Sequence, residues 1–225
     1  MANQPVLRSV AALVFVCALS VHRMAEAAPI KVVALGDSLT AGLGLPANEA
    51  FPAKLEAALR ARGHDVTIVN AGVSGDTASD GLARLDWSVG DDANAVILEL
   101  GANDALRGID PATTRAALEK ILRRLNDRHL PVLVLGMLAP LNFGEDFARR
   151  FDGIYPDLAG QYGAVLYPFF LDGLVSRLDV THGAASRTDL FQADGLHPNA
   201  AGVDAIVERI VPVVEPWLAR LEKPS

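Results

Sequence analysis

At 225 residues, with 51% hydrophobic and 21% charged side chains, the chain has apolar material for one folded domain and is short for two. Its formal charge of −7, from 20 Lys+Arg against 27 Asp+Glu, disfavours polyanions, and no basic run with interleaved aromatics points to nucleic acid. The single cysteine leaves no internal disulfide, so stability must come from the core.

The first 27 residues differ in kind from the rest. Arg8 precedes an almost unbroken apolar run, Val10 to Val21, and Ala25-Glu26-Ala27 fits a small-residue cleavage site. The run is shorter than the roughly 20 residues that span a bilayer. We therefore expect 1–27 to be a secretory signal peptide and 28–225 to be a single domain, periplasmic or secreted and not inserted in a membrane. Cleavage would remove Cys17 as well, which excludes a thiol nucleophile and a Cys-ligated metal.

From residue 30 short apolar runs alternate with longer amphipathic stretches. Strands are expected at Ile30 to Leu35, Val66 to Val69, Ala95 to Leu100 and Pro131 to Leu135, with a weaker one at Ala164 to Tyr167. The first, third and fourth are nearly continuous in Val, Ile and Leu, as strands covered on both faces are. Helical patterns fall at Ala50 to Ala61, Thr77 to Leu85, Pro111 to Asp127, Glu145 to Gly160 and Asn199 to Leu221. Asp110 before Pro111 has the form of an N-cap followed by a first-turn proline. Such alternation predicts an α/β fold, a parallel sheet wrapped on both faces by helices.

In such sheets ligands bind beyond the C-terminal ends of the strands. The segments that follow the first three strands are Gly36-Asp37-Ser38-Leu39, Asn70 to Asp76, and Gly101-Ala102-Asn103-Asp104, all small, polar and turn-forming. Ser38 sits on a strand-to-helix turn, where a serine either caps the helix or exposes a hydroxyl near its positive end. A hydroxyl is a weak nucleophile until a neighbouring base takes its proton. Four histidines lie beyond residue 27. His64 and His129 each follow a helix end and read as caps. His182 and His197 each have an aspartate three residues upstream, Asp179 and Asp194, close enough to orient the imidazole. His197 is the stronger candidate, because its compact turn leads straight into the last helix, whereas Leu178 to Thr188 has no periodicity. Gly75 offers an unobstructed amide and Asn103 a side-chain amide for a developing oxyanion. Each has a bland alternative, a turn glycine and an Asx-turn residue.

These four blocks, in this order, resemble the signature blocks of SGNH (GDSL) hydrolases, and the resemblance covers essentially all of 28–225. Within the family the chain is most similar to the thioesterase I/lysophospholipase/arylesterase type, with further likeness at Ser74-Gly75-Asp76-Thr77, Leu106-Arg107-Gly108 and Ile154-Tyr155-Pro156. The resemblance implies a three-layer α/β/α sandwich with a flavodoxin-like, mostly parallel central sheet. It also implies a serine hydrolase of esters and thioesters that works through an acyl-enzyme. Ser38 would be the nucleophile, and His197, oriented by Asp194, the general base and then acid. The Ser38 and Gly75 amides and the Asn103 side chain would form the oxyanion hole. No cofactor or metal is implied. Ala102 departs from a glycine common in such proteins, and the segment Ala105 to Asp110 is expected to line the acyl site. Leu141, Phe143, Phe169 and Phe170 are candidates for an acyl channel or for plain core, and the buried-looking acid Glu99 reads as structural. Expected partners are small acyl esters or thioesters, with the protein as a monomer. An acetyl esterase acting on polysaccharides is the alternative, disfavoured by an aromatic content of 6%. A non-catalytic phosphate-binding flavodoxin-like protein is the remaining one.

Overall fold

The computed structural model describes residues 28–175 and 188–222. The expected signal segment, 1–27, and the pair Asp179 and His182 lie outside the described residues. In chain order the strands and α-helices are β1 (Ile30–Gly36), α1 (Ser38–Ala41), α2 (Phe51–Arg60), β2 (Val66–Gly72), α3 (Ala78–Ala83), α4 (Leu85–Ser88) and β3 (Ala95–Glu99). They continue with α5 (Ala102–Leu106), α6 (Pro111–Asp127), β4 (Val132–Leu135), α7 (Glu145–Asp152), α8 (Ile154–Tyr162), β5 (Val165–Tyr167) and α9 (Ala200–Leu221).

The strands form one parallel sheet in the order β2-β1-β3-β4-β5. Every residue of β3 and β4 is buried, which is why their sequences lack the polar alternation of a half-exposed strand. Helices α2 and α9 pack together as one outer layer, and α6 packs with α3 and α8 as the other. The α/β/α sandwich expected from the sequence is therefore the fold. Its core is filled by side chains such as Leu35, Leu55, Ile97, Leu98 and Ile121, all at most 1% exposed. Each such side chain contributes about 1.5–3 kcal/mol on burial.

Local signals set the helix starts. Asp110 caps α6 by accepting from the Ala112 amide at 2.9 Å, with Pro111 at the first helical position. Asn199 caps α9 by accepting from the Gly202 amide at 3.0 Å. Thr77 and Asp80 form a reciprocal capping box at α3. Two expected helices are interrupted. The one over 77–85 ends at Ala83 and restarts as α4, because Arg84 leaves helical geometry and turns its guanidinium inward. The one over 145–160 divides at Gly153 into α7 and α8.

The strand order reverses between β1 and β3, since β2 lies on one side of β1 and β4 on the far side of β3. A crevice opens at such a switch point, beyond the carboxyl ends of the strands. Ser38 follows β1 there, and Asn103 follows β3.

Candidate active site

Asp37 and Ser38 divide the two roles that the sequence left open. Asp37 is the N-cap of α1, its Oδ1 accepting from the Leu39 amide at 2.9 Å. Ser38 is the first helical residue, so its hydroxyl is not used for capping. His197 Nε2 lies 2.9 Å from Ser38 Oγ, and His197 Nδ1 lies 2.6 Å from Asp194 Oδ2. A carboxylate only accepts, so the ring proton sits on Nδ1, and the Nε2 lone pair faces the serine hydroxyl. The other oxygen, Asp194 Oδ1, accepts from the amides of Leu196 at 2.9 Å and His197 at 3.0 Å. The His197 amide and ring, with the Leu196 amide, hold the Asp194 carboxyl down at about 2, so it stays ionised through the acid range.

The mount of His197 is stiff for identifiable reasons. The Gln192 amide donates to the His197 carbonyl at 2.8 Å. Its side chain donates to the carbonyls of Leu43 at 2.7 Å and Pro198 at 2.9 Å, fastening the turn to the loop after α1. Asn199 adds bonds to the carbonyls of Asp189 and Phe191 while capping α9. The other two described histidines do not meet Ser38. His64 caps α2 through its amide, which donates to the Leu59 carbonyl at 3.2 Å, and its ring, 2.9 Å from Glu222 Oε1 and 3.6 Å from Glu215 Oε1, fastens that end to α9. His129 closes the turn after α6 with φ +55°.

Of the expected oxyanion donors, Asn103 is tied to the residue that follows Gly75. Gly75 has φ +90°, where a side chain is strained, and Arg107 Nη2 donates to its carbonyl at 2.9 Å. The next carbonyl, Asp76, accepts from Asn103 Nδ2 at 3.0 Å, and Asp37 Oδ2 accepts from the same nitrogen at 3.2 Å. Arg84 braces this assembly, donating to Asp76 Oδ2 at 2.6 Å and to the Gly36 carbonyl at 2.8 Å.

A second carboxyl lies beneath the turn. Glu99 is fully buried, its Oε2 accepting from Thr40 Oγ1 at 2.7 Å and weakly from the Asp37 amide at 3.4 Å. Its Oε1 has no hydrogen-bond partner among the described residues. Burial, reinforced by the Asp37 charge, pushes Glu99 well above the usual carboxylate range and so favours its neutral form. Burial raises Asp37 as well, to about 6, against the opposing pull of the Leu39 amide and Asn103. The structural reading of Glu99 thus holds.

A cavity of ≈ 340 Å³ opens from this cluster. Ser38, Asn103 and His197 form its polar end, and Ala105, Leu106, Met137, Phe169 and Leu196 contribute to its apolar wall. Of the expected acyl-site segment 105–110, Ala105 and Leu106 reach the cavity. Among the four aromatic and aliphatic candidates Phe169 lines it. Phe170 turns into the core and meets Phe51 edge-on at 4.9 Å, and Phe143 lies outside against Phe147. Sequence reasoning passed over Arg84, Gln192 and the second task of Asp37, whose partners lie far away along the chain.

Comparison with known proteins places the chain in a family. Residues 34–205 match the model of the GDSL-like lipase/acylhydrolase family. An arylesterase of Vibrio mimicus is 32% identical over 214 residues, covering 95% of this chain and 94% of its own. The thioesterase 1/protease 1/lysophospholipase L1 of Escherichia coli (strain K12) is 33% identical over 199 residues, 88% of this chain and 86% of its own. The crystal structure of AlinE4, an SGNH-hydrolase family esterase, superposes with a TM-score of 0.66 at 46% identity, covering 84% of this chain and 97% of that one.

Proposed function

This chain belongs to the GDSL-like lipase/acylhydrolase family and is a serine-type ester hydrolase, and we propose that Ser38, His197 and Asp194 are its catalytic residues. The observation that carries the assignment is the unbroken chain from Asp194 Oδ2 through His197 to Ser38 Oγ, at 2.6 and 2.9 Å. In the first step Ser38 Oγ attacks the acyl carbon as its proton passes to His197 Nε2. The negative carbonyl oxygen is met by the amides of Ser38 and Gly75 and by Asn103 Nδ2, each typically contributing about 2.7–4 kcal/mol. His197 then gives the proton to the departing alcohol, phenol or thiol, leaving an ester on Ser38. Water attacks that ester with His197 as base, the acid leaves, and the Ser38 hydroxyl is restored.

The acyl group would lie along the apolar wall from Ala105 to Leu196. Aryl esters, lysophospholipids and thioesters such as acyl-CoA are the proposed substrates, in keeping with the names of the arylesterase and thioesterase relatives. We further propose that 1–27 is removed on export, so that the secreted or periplasmic enzyme begins at Ala28 and acts as a monomer. N-terminal sequencing and sedimentation of the exported protein test both points.

The deciding experiment is kcat/KM across an acyl-length series for paired oxygen esters and acyl-CoA thioesters, with Ser38→Ala as the blank. The proposal expects turnover of both classes beyond acetyl and none in the blank. Activity confined to acetyl esters would favour the polysaccharide acetyl esterase instead, and undiminished activity in Ser38→Ala would remove the serine mechanism.

A further inference from the structure

Asn103 is asked to stabilise an oxyanion, yet both protons of its Nδ2 are engaged in the resting protein. One goes to Asp37 Oδ2 at 3.2 Å and the other to the Asp76 carbonyl at 3.0 Å. Both partners are acceptors only, so the carboxamide has one stable orientation: its oxygen in place of its nitrogen would oppose two acceptors. The two acceptors differ in kind. Asp37 is a buried carboxyl held at the first turn of α1, whereas the Asp76 oxygen is a neutral peptide carbonyl.

We propose that Asp37 is a positioning residue for the oxyanion site, its ionised carboxylate anchoring the Asn103 carboxamide while the Asp76 carbonyl yields its proton to the oxyanion. Hydrogen bonds to an ionised acceptor are shorter and stronger than those to a neutral one. The bond to Asp37 therefore persists through the reaction, and the bond to the Asp76 carbonyl is the one exchanged for the negative oxygen on the substrate. This inference rests on the reading of Asn103 as an oxyanion donor and adds what holds that donor in place.

The network makes the effect of the isosteric change definite. Asp37 Oδ1 accepts from the Leu39 amide at 2.9 Å, and an asparagine at 37 keeps its own oxygen on that amide, preserving the cap. Its NH2 then occupies the place of Oδ2 and faces the NH2 of Asn103. Two donors repel, so Asn103 turns its oxygen toward position 37 and withdraws its N–H groups from the Ser38 side. A proton on Asp37 Oδ2 does the same, since the hydroxyl also donates. The charged and titratable groups facing Asp37 are Glu99 at the end of β3, Asp104 in α5 and His197 on its turn. Tyr155 from α8 is buried and neutral, and Arg84, bound to the neighbouring Gly36 carbonyl, is paired with Asp76. Burial places the titration of Asp37 at about 6, inside the working range.

The test is kcat and KM for a p-nitrophenyl acyl ester from about pH 5 to about pH 8. It uses the wild type, Asp37→Asn, Asn103→Ala and the double variant. The expected result is a kcat about 10²–10³-fold lower in Asp37→Asn with KM unchanged, the loss of one oxyanion donor. The double variant falls no further than Asn103→Ala. Wild-type kcat/KM falls as Asp37 takes up a proton at about 6, and Asp37→Asn lacks that fall. Asn103→Ala depressed while Asp37→Asn keeps wild-type kcat overturns the inference and leaves Asn103 as a donor. Wild-type activity in Asn103→Ala removes the donor reading and the inference together. A wild-type acid limb left unchanged by Asp37→Asn also overturns the inference.

Discussion

Asp194→Asn separates orientation of His197 from the shape of its turn. Asp194 has two distinct tasks on its two oxygens: Oδ1 accepts from the Leu196 and His197 amides, and Oδ2 receives the ring N–H at 2.6 Å. Asparagine keeps an oxygen for the two amides, so the turn survives. Its NH2 replaces Oδ2 and donates to Nδ1, which forces the ring proton onto Nε2. That nitrogen then points an N–H at Ser38 Oγ and has no lone pair with which to accept the hydroxyl proton. The expected loss in kcat is roughly 10⁴-fold, the effect of leaving a catalytic imidazole in the wrong tautomer. It corresponds to about 5.4 kcal/mol of transition-state stabilisation. The assay is steady-state turnover of a p-nitrophenyl ester alongside the thermal midpoint, which should barely move. An asparagine variant within about tenfold of wild-type kcat would refute the reasoning, because the lost tautomer leaves no base at Ser38.

Other consequences follow from the cavity, from one backbone position and from the buried acid. Each added acyl methylene should raise kcat/KM about fourfold, the equivalent of about 0.8 kcal/mol, until the ≈ 340 Å³ cavity is full; Ala105→Phe, placing a ring in its wall, should move the optimum to shorter chains in an acyl-length series. Gly101 has φ +118° and a Cβ there would stand 2.2 Å from Tyr155 Oη, so Gly101→Ala should lower stability by about 1–3 kcal/mol in urea unfolding and reduce kcat by shifting α5. Glu99 binds its proton more tightly folded than unfolded, so its contribution to stability is present below its ordinary value of 4.5 and is lost as pH rises toward the folded value. Glu99→Gln removes that dependence: its thermal midpoint should gain on the wild type as pH rises above 4.5, and a constant or shrinking difference would show that Glu99 ionises freely.

Strands and capped helices were legible because their causes are local. The apolar runs of β1, β3 and β4 and the Asp110-Pro111 start of α6 needed no distant partner to be read. The breaks were not legible for the opposite reason. Arg84 ends α3 because the carbonyls of Gly36 and Ala71 and the carboxylate of Asp76 draw its guanidinium inward, and those groups lie 8 to 48 residues away. Gly153 keeps helical backbone angles, φ −69° and ψ −16°, so the periodicity runs through the division between α7 and α8 almost unmarked.

The site shows the same division. Asp194 and His197 are three residues apart, and their pairing follows from spacing. The approach of His197 to Ser38, 159 positions earlier, follows only from the switch point between β1 and β3 and the mount supplied by Gln192 and Asn199. Asp37 caps α1 beside Ser38, a local role next to the one the sequence offered to the serine. Its grip on Asn103 spans 66 positions and has no local signature. Phe169 and Phe170 are adjacent in sequence, yet one faces the cavity and the other the core, because the turn after β5 presents them to opposite sides.

The claim on which the rest depends is that Ser38 carries the acyl group. Intact-protein mass spectrometry with peptide mapping, after reaction of residues 28–225 with a fluorophosphonate, tests it most directly. The account predicts one adduct per chain, on the peptide holding Ser38, absent from Ser38→Ala and formed far more slowly in His197→Ala. An adduct on another residue, or equal labelling of the Ser38→Ala protein, would contradict it.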